Sequence, residues 1–153
     1  MSDYFYETEG PVKKRDYTTP EADNESEFIL AMRKTGAIAY HLNEGYSTMP
    51  YDGYVAHRGL YLPYEAKYTE NKKTYSMEAW RRKQEHQFLA LQNAYQKGFW
   101  PFKIIFWKPE DYIYWCITTM SDFLKSSVLL PKLAIIEDVD QLYNLLEEVY
   151  SNE

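Results

Sequence analysis

The sequence predicts an α/β domain, a mixed sheet flanked by helices in the order α-β-β-β-α-β-β-α. Three observations predict it. Apolar residues recur at helical spacing in three separated stretches. Five short runs rich in Val, Ile, Tyr, Phe and Trp lie between them, bounded by Gly, Pro, Asn or Asp. The 153 residues, 45% hydrophobic and 26% charged, suit one compact core spanning 1–153 rather than a disordered or fibrous chain.

Residues 1–20 are polar and Tyr-rich without a period, and read as an arm-like lead-in. Asn24 is a good N-cap with Glu27 as its capping-box partner, and Phe28, Ala31, Met32 and Thr35 form a helical stripe that Gly36 ends. Ala37–His41 reads as a short strand and Asn43–Pro50 as a loop. Tyr51–His57 and Leu60–Tyr68 read as a hairpin turning at Arg58-Gly59. Pro63 has no N–H to give, so one side of that strand should be unpaired at that point. Thr69–Tyr75 is polar and basic and reads as a loop. Ser76 caps a long helix to Lys97, with Trp80, Phe88, Leu91 and Tyr95 on its apolar face and Gly98 after it. Phe102–Trp107 and Tyr112–Thr118 are β-rich runs split by Lys108-Pro109-Glu110-Asp111. Ser121–Lys125 reads as a helical turn. Asp138 caps a last helix that buries Val139, Leu142, Leu146 and Val149.

Composition excludes several classes. No apolar run approaches the roughly 20 residues that cross a bilayer, and MSDYFYETEG carries neither a basic nor an apolar leader region. One cysteine, Cys116, excludes an internal disulfide framework and reads as a buried apolar side chain. The expectation is a soluble, cytoplasmic protein with no membrane partner. The net charge is -6, but it is unevenly spread. Residues 53–108 hold ten Lys and Arg against four Glu, while 1–27 and 109–153 are strongly acidic. A basic middle can face a polyanion such as DNA, or simply be a solvated helix surface.

Asp52 begins one hairpin strand, and Glu65 and Lys67 lie two apart on the next, with side chains on the same face and Ala66 opposite. A hairpin brings Asp52 toward Glu65. Two carboxylates and an ammonium suit phosphodiester hydrolysis. Hard oxygen ligands hold Mg²⁺ or Mn²⁺, which neutralises phosphate charge and helps generate hydroxide, and a lysine steadies the charged transition state. The Ala66 carbonyl can add a ligand. Three such residues at loose spacing are also compatible with ordinary solvated strand charges. Gln87 lies on the apolar stripe, where a buried amide needs partners. It is placed either to bond a water or phosphate near Glu65 and Lys67 or to serve as a core glutamine. Lys72, Lys73, Arg81, Arg82, Lys83 and His86 flank the strand and open the helix that follows, and with Arg58 they are the candidate phosphate contacts.

The stretch Tyr51-Asp52-Gly53, then Glu65-Ala66-Lys67-Tyr68-Thr69-Glu70-Asn71, then His86-Gln87 with Gly98 closing the helix, resembles the PD-(D/E)xK nuclease superfamily, and within it the RecU-type Holliday junction resolvases. Glu25-Ser26-Glu27-Phe28-Ile29 followed by Gly36 looks like the first helix of the archaeal resolvases. The resemblance covers about residues 24–107. It implies a restriction-endonuclease-like fold and metal-dependent DNA cleavage. Asp52, Glu65 and the Ala66 carbonyl would be metal ligands, Lys67 the catalytic lysine and Gln87 a further catalytic residue. Glu25 would take the first-helix acidic position, both catalytic and metal-ligating, with Glu27 as its competitor. Two symmetric nicks in a four-way junction call for two sites about a two-fold axis, so the expected assembly is a homodimer. The chain departs from RecU-type enzymes in having about ten residues between the first two strands, too few for their junction-penetrating stalk, and Tyr51 where those carry Thr. Small size and the missing stalk suit a phage version. The reading is a Holliday junction resolvase acting in DNA recombination and repair. The alternatives are a restriction- or exonuclease-like enzyme on duplex DNA or ends, and a catalytically silent DNA- or protein-binding module.

Overall fold

The computed structural model describes residues 19–42, 50–70, 73–131 and 136–152. The expected arm at 1–20 lies almost wholly outside them, as do most of the expected loop at 43–50 and Lys72. The elements run α1 (Pro20–Lys34), β1 (Ile38–His41), β2 (Gly53–His57), β3 (Leu60–Glu70), β4 (Thr74–Ser76), α2 (Met77–Lys83), α3 (Glu85–Gln96), β5 (Phe102–Lys108), β6 (Tyr114–Thr118), α4 (Met120–Phe123), β7 (Ser127–Leu129) and α5 (Val139–Ser151).

The main sheet has the order β1-β2-β3-β5-β6. Its pairs are antiparallel except β3–β5, which is parallel, with α2 and α3 in the crossover. The β2–β3 turn places Arg58 at φ 54° and Gly59 at φ 73°. Two left-handed residues give the turn whose twist matches a hairpin, and glycine takes that conformation without strain. The β3–β5 ladder begins at Tyr64, one residue past Pro63, so the proline's missing donor meets no strand on that side.

On one face α1 lays Phe28 edge-on to Tyr64, Phe102 and Trp115, at centroid distances of 5.5, 6.1 and 5.8 Å. On the other face α2 sets Trp80 against Phe123 of α4 and over Lys103 of β5. Helices therefore flank a mixed sheet, as the sequence predicts. At the start of α5 the Val139 N–H donates to Thr35 Oγ1 (2.9 Å), and near its end Tyr150 donates to the Pro101 carbonyl and accepts from Met120 N–H. No helix among the described residues is long and apolar enough to cross a membrane.

Several boundaries differ from expectation. The first helix starts at Pro20, not Asn24. Thr19 is the N-cap, its hydroxyl accepting from Ala22 N–H (3.1 Å), and Pro20 opens the first turn. Asn24 instead turns its amide back to the Pro20 carbonyl (2.7 Å), and Glu27 is exposed. The helix expected from Ser76 to Lys97 breaks at Gln84 (φ −127°, ψ 51°). In a straight helix Trp80 and Gln87 would stand about 10 Å apart along the axis. The break instead lets the Trp80 indole N–H donate to Gln87 Oε1 at 3.2 Å. The polar stretch 69–75 is not all loop. β3 continues to Glu70, and β4 pairs with β7 in a second, two-stranded sheet. The element order is therefore longer than α-β-β-β-α-β-β-α. β6 starts at Tyr114 rather than Tyr112, and in α5 Tyr150 takes the buried place expected of Val149.

Candidate functional site

The site arises where β2 stops and β3 does not. Gly53 pairs with Tyr64, and beyond that register β3 runs on to Glu70 with β5 on its other side. Successive even residues of β3 turn their N–H and C=O toward the edge that β2 has vacated. Two carboxylates face the exposed donors. Asp52 Oδ2 accepts from Ala66 N–H (2.8 Å), and the Glu21 carboxylate lies near Tyr68 N–H, which favours its charged form. The Ala66 carbonyl faces the same open edge. Asp52 is itself pinned, its N–H donating to the Tyr64 carbonyl (3.0 Å) and its carbonyl accepting from Leu42 N–H (2.7 Å).

Asp52 and Glu65 meet. Their carboxyl groups are hydrogen-bonded to each other, with Glu65 as the donor. Burial comes first in raising the Glu65 pKa, to about 9, and the Asp52 charge comes next. Asp52 is also raised, by burial and then by Glu25. Neighbouring like charges oppose each other's ionisation, which favours keeping a proton on the more buried Glu65. Glu65 Oε1 is buried without a partner. Lys67 leaves the same face, partly exposed, and its charge lowers the pKa of both Glu65 and Glu21.

Glu25 stands behind this pair. Its Oε2 takes the Tyr64 hydroxyl (2.7 Å) and His41 Nδ1 (2.6 Å), and the residue is 6% exposed. Gly53 makes room for that arrangement. A Cβ there would lie 2.4 Å from the Tyr40 carbonyl oxygen and 2.6 Å from Tyr64 Oη, closer than any side chain allows. Among the described residues no group of three or more His, Cys, Asp or Glu is placed to hold a metal ion. Asp52 and Glu65 are the pair brought together, and Glu25 is engaged elsewhere. A hard divalent ion fits the donor set that remains: two neighbouring carboxyl groups, one with an unpartnered oxygen, and a carbonyl on one open edge.

Gln87 reaches the site through Trp80, accepting its indole N–H. Lys73, Arg82, Lys83 and His86 are exposed on the segment from β4 through α3, while Lys72 lies outside the described residues. Arg81 is partly buried and donates to the Phe123 carbonyl and to the Lys125 carbonyl (2.7 Å), which ties α2 to α4 and the residues after it. Arg58 sits at the far end of the hairpin, 3.2 Å from Asp140 and over the Tyr143 ring.

Two residues of the site escape sequence reasoning. Glu21 enters because α1 begins a turn early, and Thr19-Pro20-Glu21 is the signal that finds it: a capping hydroxyl, proline at the first position, an acid in the first turn. Lys103 is the register partner of Glu65 and is fully buried. Its ammonium lies 4.1 Å from the Trp80 ring centroid and 5.3 Å from that of Tyr75, without a hydrogen-bond partner. Burial pulls its pKa down to about 7, with Glu65 the chief opposing influence. Nothing in Phe102-Lys103-Ile104 distinguishes this lysine from one at a strand end.

No protein-family model matches the chain, and no curated protein matches it. Among solved structures it is similar to that of Archaeoglobus fulgidus Hjc, a Holliday junction resolvase from an archaeal hyperthermophile. The TM-score is 0.46 at 14% identity, over 66% of this chain and 73% of that one. That likeness is too distant to assign an activity here.

Proposed function

We propose that this protein is a divalent-metal-dependent nuclease that hydrolyses phosphodiester bonds in branched DNA. The observation that carries the reading is the meeting of Asp52 and Glu65 at an open sheet edge with Lys67 on the same face. Asp52, Glu65 and the Ala66 carbonyl would hold Mg²⁺ or Mn²⁺, which supplies charge neutralisation at the phosphate. Lys67, partly exposed beside the pair, orients the attacking water and offsets charge on the pentacovalent phosphorus. Glu25 acts through its neighbours, fixing Tyr64 and His41 behind Asp52. Lys73, Arg82, Lys83 and His86 meet backbone phosphates without reading sequence. Cleavage of both strands of a junction would need a homodimer.

One competing observation favours a silent fold. Asp52 caps the Ala66 N–H, a role that needs no chemistry. The experiment incubates purified protein with labelled four-way junction, linear duplex and single strand, in Mg²⁺, Mn²⁺ or EDTA, beside Lys67→Ala. Paired nicks in the junction that vanish in EDTA and in Lys67→Ala are expected. Equal cutting of duplex moves the substrate to ordinary DNA. Binding without cleavage in either metal overturns the nuclease reading and leaves the silent one.

A further inference from the structure

Asp52 approaches Glu65 from the β2 side of the sheet, and Tyr75 of β4 stands over β5 on the other. The Lys103 ammonium, carried by the register partner of Glu65, lies 5.3 Å from the Tyr75 ring centroid. The phenol oxygen is close enough to Glu65 and Glu21 that their charges, after burial, raise its pKa. The ring is held from both sides. Tyr75 pairs with Val128 of β7. Before it the Lys73 carbonyl accepts from Leu130 N–H (2.7 Å), and after it the Ser76 hydroxyl caps α2, accepting from Ala79 N–H (3.0 Å). Tyr75 itself is half-buried. A tyrosine hydroxyl withdrawn from solvent normally finds a partner, and the neighbouring ones of β3 do. Tyr64 donates to Glu25 and Tyr68 to Glu70, each at 2.7 Å. Among the described residues nothing is hydrogen-bonded to the Tyr75 hydroxyl.

We propose that the Tyr75 hydroxyl is a further catalytic group, donating a hydrogen bond to a non-bridging oxygen of the scissile phosphate at Asp52 and Glu65. The inference rests on the nuclease reading. The hydroxyl has one hydrogen to give, and neighbouring carboxylates keep that hydrogen in place well above neutral pH, so it serves as a donor and not as a base. In the loaded site Glu65 would face the metal ion, and the acceptors that arrive with DNA are phosphate oxygens. Hydrolysis builds negative charge on those oxygens as the attacking water bonds to phosphorus. A fixed donor there binds the transition state more tightly than the ground state. Lys67 supplies charge from β3, and Tyr75 supplies a neutral donor whose direction the β4–β7 pairing sets. No proton leaves the phenol in the step. The bland alternative is a ring that only roofs Lys103, a role in which the hydroxyl has no part.

Tyr75→Phe keeps the ring over Lys103 and removes the hydroxyl alone. Single-turnover cleavage of labelled four-way junction in Mn²⁺ should slow by about 10–100-fold. Junction affinity in Ca²⁺, a weaker Lewis acid, should stay close to that of the native protein, and the rise in Tm caused by Mn²⁺ should be kept. A Tyr75→Phe protein that cuts at the native rate overturns the proposal. So does one that loses the Mn²⁺ response, which would make the hydroxyl a support of the metal site. A direct readout uses 3-fluorotyrosine at position 75, whose fluorine resonance should move when junction and Ca²⁺ are added together and much less with either alone. An unmoved resonance overturns the contact whether or not Tyr75→Phe folds. The two readings fail separately: a native protein that shows the shift but cuts in neither Mg²⁺ nor Mn²⁺ defeats the nuclease and retains the phosphate contact, whereas cleavage that survives Tyr75→Phe defeats the role of Tyr75 alone.

Discussion

Replacing the buried pair Glu65 and Lys103 together, Glu65→Gln with Lys103→Met, should make the metal-free protein more stable. In the fold Glu65 holds its proton up to about pH 9, whereas in the unfolded chain it loses it near 4.5. Its contribution to stability is therefore complete below 4.5 and is lost as pH rises through about 9. Lys103 runs the other way. Its folded value is about 7 against an ordinary 10.5, so its contribution is complete above 10.5 and is lost as pH falls through about 7. Between about 7 and 9 both groups are neutral in the fold and charged in the unfolded chain. Folding exchanges no net proton there, and stability lies in a flat trough. Below it, stability climbs by up to about 1.4 kcal/mol per pH unit as Lys103 regains its charge and Glu65 stays neutral. Exchanging two buried ionisable groups, which must lose their charges on folding, for permanently neutral residues of like volume should gain a similar amount to replacing a buried charged pair, about 1–4 kcal/mol. Met fills the lysine's stem and its sulfur suits the Trp80 and Tyr75 rings. The double variant should gain about 3 kcal/mol at pH 8, or about 6–12 °C in Tm for a domain of this size. At pH 5.5 the gain should shrink to about 1 kcal/mol. Urea unfolding at the two pH values in EDTA measures both. A variant no more stable than the native protein at pH 8, or one whose advantage is the same at pH 5.5, refutes the assignment of a desolvated pair.

Other outcomes follow from the same geometry. Gly53→Ala should destabilise by about 1–3 kcal/mol, because its Cβ meets a backbone carbonyl and a buried tyrosine that cannot both retreat; an unchanged denaturation midpoint would show that β1 and β2 separate freely. Mn²⁺ should raise the Tm of the native protein and leave that of Asp52→Asn unmoved, read by thermal scans at saturating metal. Asp52→Asn should also cut cleavage by at least about a hundredfold while junction affinity by gel shift stays within a few fold. Arg58→Ala should cost under about 1 kcal/mol and leave cleavage unchanged, since Arg58 pairs with Asp140 at the far end of the hairpin; a loss of cleavage would place that end on the DNA.

The hairpin was legible because its turn residues and period-two alternation act over a few neighbours. Arg58-Gly59 sets the turn, and once β2 and β3 pair, Asp52 falls opposite Glu65. The last helix was legible for the same reason: Asp138 and Gln141 cap each other locally, with Asp138 accepting from Gln141 N–H at 2.8 Å. The break at Gln84 was not, since both halves of 76–97 have good helical periodicity and only the bond from Trp80 to Gln87 shows why they separate. β4 and β7 are three residues each and some fifty residues apart, too short to announce themselves until they pair.

By itself the chain determined what short-range physics determines: helix caps, a tight turn, alternation along strands, and hence two carboxylates and a lysine on one face. Only the tertiary structure decided what surrounds them. A lysine on β5 is an ordinary strand charge until α2 covers it with Trp80, and Glu21 is an ordinary first-turn acid until β2 ends and leaves Tyr68 an unpaired donor. Burial and pairing are properties of elements distant in sequence, and they set the charge state of a side chain more strongly than its neighbours along the chain do.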